Sequence, residues 1–201
     1  MNALRTRKNT KKQQGFSLPE LVIVLLIIAI IGVIALPQMI AARRAFRFSG
    51  MQRQVAGALA EARQQAMSQR KAITLRYKNT EKETVIYGGG FGTVNDSKNK
   101  IEALDGSGIQ KAEIVYGQPP GASTAALGDG TNVSALSGGM VEVTFQPDGS
   151  VLDASGNPEN KALFFYHSKK PKSMAFAVSV LGAGGRIKIW RYSENVNKYV
   201  E

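Results

Sequence analysis

One apolar segment near the N-terminus limits what this chain can fold into. Leu21–Leu36 is a run of 16 residues without a charged side chain. Adding Phe16 and Leu18 brings the segment close to the roughly 20 apolar residues that cross a bilayer as a helix. The sequence therefore predicts a single membrane-spanning helix, and the rest of the chain must fold outside the hydrocarbon.

The charges on the two sides of this segment predict its orientation. Three cations follow it closely: Arg43, Arg44 and Arg47. Residues 1–15 carry five cations and no acid: Arg5, Arg7, Lys8, Lys11 and Lys12. Because the more basic flank stays in the cytoplasm, the N-terminus is expected to be cytoplasmic. An ordinary secretory signal would have a shorter apolar core and a cleavage site after it. That signal and a plain single-pass anchor are the alternatives.

The residues around the start of the segment resemble a known processing signal. Lys11-Lys12-Gln13-Gln14-Gly15-Phe16-Ser17-Leu18-Pro19-Glu20-Leu21 is similar to the class III leader of type IV pilins and type II secretion pseudopilins. The resemblance implies that a prepilin peptidase cuts between Gly15 and Phe16 and then methylates the amine of Phe16. It also implies a single-pass protein of the bacterial inner membrane with a periplasmic C-terminal domain. Other pilins or pseudopilins would be its partners in a filament.

Glu20 is the one carboxylate at the mouth of the apolar segment. A charged side chain in hydrocarbon costs about 3 kcal/mol unless it is paired. Glu20 could simply lie in the first helical turn, where the helix dipole favours an acid. The resemblance implies a further role, in which this glutamate pairs with the N-terminal ammonium of a neighbouring subunit during filament assembly.

Gly32 and Pro37 are expected to interrupt the helix. Proline removes a backbone donor and clashes with the preceding turn, and glycine in a helix interior costs about 1 kcal/mol relative to alanine. The resemblance implies that the helix between these two residues extends when the subunit enters a filament. A simple kink is the alternative.

The hydrophobic period changes twice beyond the apolar segment. Apolar residues first recur every three or four positions, which predicts an amphipathic helix that ends near Ala72; they are Phe48, Met51, Val55, Ala58, Leu59, Ala62, Ala66 and Met67. Beyond residue 72 a period of two predicts strands: Ala72–Tyr77, Thr84–Tyr87, Ile109–Tyr116, Met140–Gln146, Ala162–Tyr166, Met174–Leu181 and Arg186–Tyr192. The Gly/Ala/Ser/Thr-rich stretch 117–139 has no period and is expected to be a long loop.

Two further segments narrow the resemblance. Both resemble minor pilins of the GspH/FimT type. The first is Leu59-Ala60-Glu61-Ala62-Arg63-Gln64-Gln65-Ala66, and the second is Thr144–Ser150 followed later by Gly185–Ile189. The implied fold is α+β, a long N-terminal helix packed on an antiparallel β-sandwich or sheet domain. The implied organisation is a leader (1–15), an assembly helix (16–37), an amphipathic helix (38–72) and a β-rich domain (73–201). The implied function is that of a minor pseudopilin of the type II secretion system, at or near the filament tip. A type IV pilus minor pilin of the FimT/FimU type is the alternative.

The residue inventory gives no support to catalysis. The chain has no cysteine and a single histidine, His167, so cysteine–histidine chemistry is excluded and a zinc site lacks ligands. We expect a structural protein with no catalytic residues, no metal, no cofactor and no small-molecule substrate.

The strand near the C-terminus suggests a different function, DNA binding. Alternation places Arg186, Lys188 and Trp190 on one face, opposite Ile187 and Ile189. Cations beside an aromatic ring suit phosphate contacts and base stacking. Gly185-Arg186-Ile187-Lys188 also resembles the Gly-Arg-x-Arg motif with which some FimT-type pilins bind DNA in natural transformation, although lysine lacks the bidentate fork of arginine. A solvated strand face, or a membrane-anchored domain with no filament role, are the remaining alternatives.

Overall fold

The computed structural model describes residues 16–88, 98–103, 113–122, 127–131, 133–135, 140–153 and 155–201. Within these ranges one helix, α1 (Leu18–Gln69), precedes ten strands. The strands are β1 (Ile73–Lys78), β2 (Glu83–Gly88), β3 (Lys98–Ala103), β4 (Ile114–Tyr116), β5 (Ser134–Ala135), β6 (Met140–Phe145), β7 (Lys161–His167), β8 (Lys170–Leu181), β9 (Arg186–Ser193) and β10 (Lys198–Val200). The chain divides into two compact units, Met1–Ala42 and Arg43–Glu201, and α1 contributes residues to both.

Local backbone bonds define the ends of α1. The N–H of Leu21 donates to the carbonyl of Ser17 at 3.2 Å, so Ser17 occupies the N-cap position, which serine favours. At the other end the N–H of Lys71 donates to the carbonyl of Ala66 at 3.3 Å. Arg70, which directly precedes Lys71, has φ 52°. This combination is the helix-ending Schellman arrangement, in which a left-handed residue closes the last turn.

The helix is continuous where the sequence predicted an interruption. Gly32 and Pro37 both lie inside α1, so the expected break in secondary structure is wrong. Proline removes one backbone donor, whereas every other peptide group in an apolar segment gains by bonding within the helix. The helical extension that the resemblance implies for this stretch remains a prediction.

The first sheet contains the three strands that follow the helix in sequence, and also β6. Its strand order is β3-β2-β1-β6, and each neighbouring pair is antiparallel. The register of β1 against β6 places Thr74 opposite Thr144, and their buried hydroxyls are 2.9 Å apart. Arg76 and Glu142 also face each other and form an ion pair. These opposed pairs fix β1 in register at the centre of the sheet.

The second sheet contains the remaining strands. Its order is β10-β9-β8-β7-β4, and these pairs are also antiparallel. The short strand β5 pairs in parallel with the start of β7, at Lys161 and Ala162, while β4 pairs with the end of β7, from Phe165 to His167. Two short segments that are distant in sequence thus share one edge of β7.

The main core of the second unit lies between the helix and the sheets. The buried helical residues recur every three or four positions and contact inward-facing residues of both sheets, such as Leu75, Val143 and Phe165. The helical ones are Phe48, Met51, Val55, Ala58, Leu59, Ala62 and Ala66. Met67, which the predicted stripe included, is 38% exposed. The α+β architecture expected from the sequence, a long helix packed on antiparallel sheets, is confirmed.

A second apolar cluster covers the opposite face of the second sheet. Phe164, Trp190, Tyr192 and Tyr199 form its aromatic part. Leu127, from the stretch expected to be a plain loop, is 2% exposed within it and forms a bridge with Tyr199. Ser134–Ala135 also forms a strand. Leu127 and the partly buried Ala122 and Val133 therefore pack against the sheet, because they cover an apolar face that this sheet would otherwise expose to water.

All seven predicted strands are present, and where both predicted ends are described no boundary is shifted by more than four residues. Residues 109–112 of the predicted third strand lie outside the described ranges. Three strands were not predicted: β3, β5 and β10. The last two have two and three residues, too few to show a period.

Candidate functional site

The N-terminal apolar helix is the first candidate functional segment. Phe16 is 81% exposed, and large apolar side chains remain exposed from Leu18 to Ile40. The helix is long and apolar enough to cross a membrane, judged by its length and composition. Such a surface is not stable in water, so lipid or other apolar helices must cover it.

Glu20 lies in the first turn of this helix. With Ser17 at the N-cap, Glu20 occupies the third helical position, which is the Ser-x-x-Glu spacing of a capping box. The position therefore gives Glu20 a local reason to be acidic in addition to any role between subunits. Of the predicted cleavage junction, Phe16 is the first described residue and Gly15 lies outside the described ranges.

The three residues expected to bind DNA differ in their exposure to solvent. Arg186 is exposed at the start of β9 and lines an open groove with Arg63, Gln64 and Met67. The side chain of Lys188 is only 12% exposed. Trp190 is 1% exposed. Alternation correctly placed these residues on one face, opposite Ile187, which packs against the main core.

Lys188 is engaged in ion pairs. Its Nζ lies 3.0 Å from Asp129 Oδ2 and 3.4 Å from Glu201 Oε2, and 5.0 Å from the centre of the Trp190 ring. Hydrogen bonds from Thr131 and then from Lys188 lower the pKa of Asp129 to about 2. The hydrogen bond that Lys188 donates to Asp129 in turn raises the pKa of Lys188. Lys188 thus holds the segment that contains Leu127 and Asp129 on the second sheet, and its charge is already paired.

Trp190 has no ring face available for stacking on a base. Its Nε1–H donates to Ser179 Oγ at 2.8 Å in the interior. The ring belongs to the second apolar cluster, together with Leu127 and Tyr199. The expectation of a stacking role for Trp190 is therefore wrong, because residues some 60 positions earlier in the chain cover this face of the sheet.

Sequence reasoning missed a contact between the helix and two turns. Arg63 Nη2 donates to the carbonyl of Gly184 at 3.0 Å. Gly149 and Gly185 lie beside it with φ of +83° and +59°, and a Cβ at Gly185 would lie 1.9 Å from the carbonyl oxygen of Gly149. The two glycines belong to the two segments that carried the family resemblance after residue 140. Their spacing in sequence gave no sign that they touch.

His167 is a buried structural residue. It is 1% exposed, its Nδ1 accepts from the backbone N–H of Lys169 at 3.1 Å, and its Nε2 lies 3.4 Å from Glu113 Oε2. In the part of the chain that the structure describes, no three His, Cys, Asp or Glu side chains are grouped to hold a metal ion. The contacts of His167 explain its burial without any catalytic role.

Two family models match the chain. Residues 10–36 match the prokaryotic N-terminal methylation motif, and residues 52–184 match the family described as type II transport protein GspH. No curated protein matches the chain significantly.

Two solved structures are similar in fold, both crystal structures of the type IV minor pilin FimU of Pseudomonas aeruginosa (strain PAO1). The alignment with one of them has a TM-score of 0.44 and 16% identity, and it covers 77% of this chain and 92% of the FimU chain. The alignment with the other has a TM-score of 0.42 and 15% identity, and it covers 76% of this chain and 97% of the FimU chain. The GspH model spans well over half of the 201 residues, and with the methylation motif it confirms the expected resemblance. The chain belongs to the GspH family of type II transport proteins.

Proposed function

We propose that this chain is a minor pseudopilin of the type II secretion system, assembled at or near the tip of the pseudopilus. A prepilin peptidase would cut between Gly15 and Phe16 and methylate the new amine of Phe16. The observation that carries the proposal is the direct connection of a methylation motif to an exposed apolar helix and a GspH-family domain. A subunit that is processed at its N-terminus, anchored and then assembled needs all three parts.

The apolar part of α1 would serve first as an anchor and later as an assembly surface. Burying one large aliphatic side chain is worth about 1.5–3 kcal/mol, so the exposed residues from Leu21 to Ile40 strongly resist exposure to water. In the inner membrane, lipid would cover them, with the N-terminus cytoplasmic and the C-terminal domain periplasmic. In the filament, the helices of neighbouring subunits would take the place of lipid. Gly32 and Pro37 would mark the stretch that extends on this transfer.

N-terminal mass spectrometry tests the processing step. Chain purified from the native host should begin at N-methylated Phe16 and contain 186 residues. Gly15→Leu should leave the leader attached, because a bulky side chain would obstruct the scissile peptide bond. If the unprocessed chain were the sole form in wild-type cells, the pseudopilin assignment would be refuted.

Glu20 would pair with the N-terminal ammonium of a neighbouring subunit. Its position at the capping-box spacing provides a matched pair of variants. Glu20→Gln keeps a side chain that can cap the helix but removes the charge, whereas Glu20→Ala removes both. Both variants should be cleaved normally and fail to enter sheared filaments. Incorporation of Glu20→Gln at wild-type levels would show that capping, and not charge, accounts for this residue.

A type IV pilus minor pilin with DNA-binding activity is the second candidate. The exposed position of Arg186, beside Arg63 on an open groove, is the observation that favours it. Lys188 and Trp190 contribute little to this candidate because both are engaged in internal contacts. Deletion strains separate the candidates: lost exoprotein release supports the secretion system, lost twitching supports a pilus, and lost transformation supports DNA uptake. Unchanged duplex binding by Arg186→Ala plus Lys188→Ala would exclude this DNA site.

A further inference from the structure

Strand β9 has an unpaired edge along most of its length. On one side, β8 pairs with residues 186–191 of β9. On the other side, β10 pairs with residues 191–193. In the part of the chain that the structure describes, no strand or isolated bridge pairs with residues 186–190 on this second side. Because the hydrogen-bonding groups of a strand point alternately to its two sides, this edge presents backbone donors and acceptors that have no partner strand.

Two open pockets lie between α1 and this strand. One has a volume of about 630 Å³, and its lining includes Ala60 and Met67 of α1 and Ile187 of β9. The other has a volume of about 330 Å³, and its lining includes Arg53 of α1 and Ile189 of β9. Ile187 and Ile189 are half-buried and lie on one face of β9, about 7 Å apart along the strand. We call the two pockets together the strand groove.

Four arginines line the strand groove. They are Arg53, Arg63, Arg186 and Arg191. Among the described residues, none of the four forms an ion pair with a carboxylate. An acid that also lines the groove, Glu201, has its Oε2 3.4 Å from Lys188 Nζ. The strand groove therefore combines an unpaired backbone edge, half-buried isoleucines and positive charge that the described part of the chain leaves unpaired.

We propose that the strand groove binds an extended segment of another protein, in which acidic and apolar residues alternate, as an added strand beside β9. Backbone hydrogen bonds to residues 186–190 would supply affinity, and side-chain contacts would supply specificity. Acidic side chains would pair with the arginines, and apolar side chains would cover Ile187 and Ile189. The inference rests on the proposed function, because a subunit at or near the tip of a filament has other proteins as neighbours.

The same observations disfavour two other occupants of the strand groove. A second copy of this chain, paired through the same edge, would bring its own arginines against those of the first, and like charges destabilise a strand pair. Duplex DNA offers phosphates to the arginines, but it has no amide groups to pair with a strand edge and no aliphatic side chains to cover the isoleucines. An acidic protein strand satisfies all three features of the groove.

Hydrogen exchange of the full chain in detergent, followed by mass spectrometry, tests the proposal with designed peptides. The probe is a short peptide of alternating glutamate and valine with blocked ends, long enough to span residues 186–190. It should bind and slow amide exchange in this segment. One control peptide carries lysine in place of glutamate, and another is N-methylated along its backbone, which removes its donors but keeps its charge. Both controls should bind on the order of tenfold more weakly, because each loses one part of the interaction.

A matched pair of charge variants locates the binding site. Arg53→Gln plus Arg186→Gln should weaken binding of the acidic peptide by roughly three- to tenfold at low salt, the range expected for two exposed ion pairs. The effect should shrink as salt screens these pairs. Lys170→Gln plus Lys172→Gln removes the same charge from exposed positions of β8 that do not line the strand groove, and it should leave the affinity unchanged.

Several results would overturn the proposal. They are unchanged exchange at residues 186–190 in the presence of the acidic peptide, equal affinity for the acidic and the N-methylated peptide, and equal weakening in both variant pairs. Protection of this segment that rises with the concentration of the chain alone would assign the groove to a second copy, and protection by duplex DNA alone would assign it to nucleic acid. None of these measurements depends on cleavage before Phe16, so an unprocessed chain that binds the acidic peptide would refute the proposed function and leave this inference standing.

Discussion

Replacement of Gly185 by alanine should be among the most damaging small changes in the second unit. Gly185 has φ +59°, and an added Cβ would lie 1.9 Å from the carbonyl oxygen of Gly149 and 2.7 Å from Arg63 Nε. The left-handed conformation costs a residue with a Cβ about 1–2 kcal/mol. The clash is with backbone, so one of the two turns must move.

Movement of the Gly149 turn would disturb its own bonds. The N–H of Gly149 donates to the carbonyl of Gln146 at 2.8 Å, and the N–H of Gln146 donates to the carbonyl of Ser150 at 2.8 Å. Each bond contributes about 1 kcal/mol net. Together with the conformational cost, Gly185→Ala should lower the free energy of unfolding by about 3–4 kcal/mol. In a unit of this size that corresponds to a fall in Tm of roughly 10 °C.

Gly184 provides the matched control. A Cβ there meets nothing within 4 Å, so Gly184→Ala should change stability by less than about 0.5 kcal/mol. Urea unfolding of the full chain in detergent, followed by fluorescence, measures both variants, because Trp190 is the sole tryptophan and is buried. Equal stability of the two variants would refute the assignment of Gly185 to this backbone contact.

Three further predictions concern the second unit. Because hydrogen bonds lower the pKa of Asp129 to about 2, its stabilising contribution is complete above its unfolded pKa of about 4 and is lost as the pH falls towards 2. Asp129→Asn should therefore reduce the difference in stability between pH 5 and pH 2, measured by urea unfolding at each pH; an unchanged difference would count against the role of this carboxylate. Ser179→Ala leaves the buried Nε1–H of Trp190 without its acceptor and should cost about 1–3 kcal/mol, whereas Ser155→Ala, at an exposed turn, should cost almost nothing. Leu59→Ala removes a side chain with 0% exposure and should cost about 2–5 kcal/mol, and a loss below 1 kcal/mol would contradict the observed packing of the helix.

The elements that sequence predicted well are those with a long local pattern. The apolar run and the three-to-four spacing from Phe48 to Ala66 indicated one long helix, and seven strands followed from alternation and turn residues. Alternation also assigned the faces of β9 correctly, with Ile187 on the core side. The expected interruption of the helix at Pro37 was wrong. Proline removes a single backbone donor, and the hydrogen bonds of the neighbouring turns keep the helix continuous.

The sequence by itself determined the apolar segment, the long helix and the positions of seven strands along the chain, because each depends on residues close together in the chain. Only the tertiary structure showed that Lys188 and Trp190 are engaged in internal contacts, since Asp129 and Leu127 come from a segment some 60 residues away. It also decided that Gly149 and Gly185 touch, and that Lys169 pairs with Glu113, some 56 residues earlier in the chain. Whether a strand face is open or covered depends on contacts between distant segments, and no local period records such contacts.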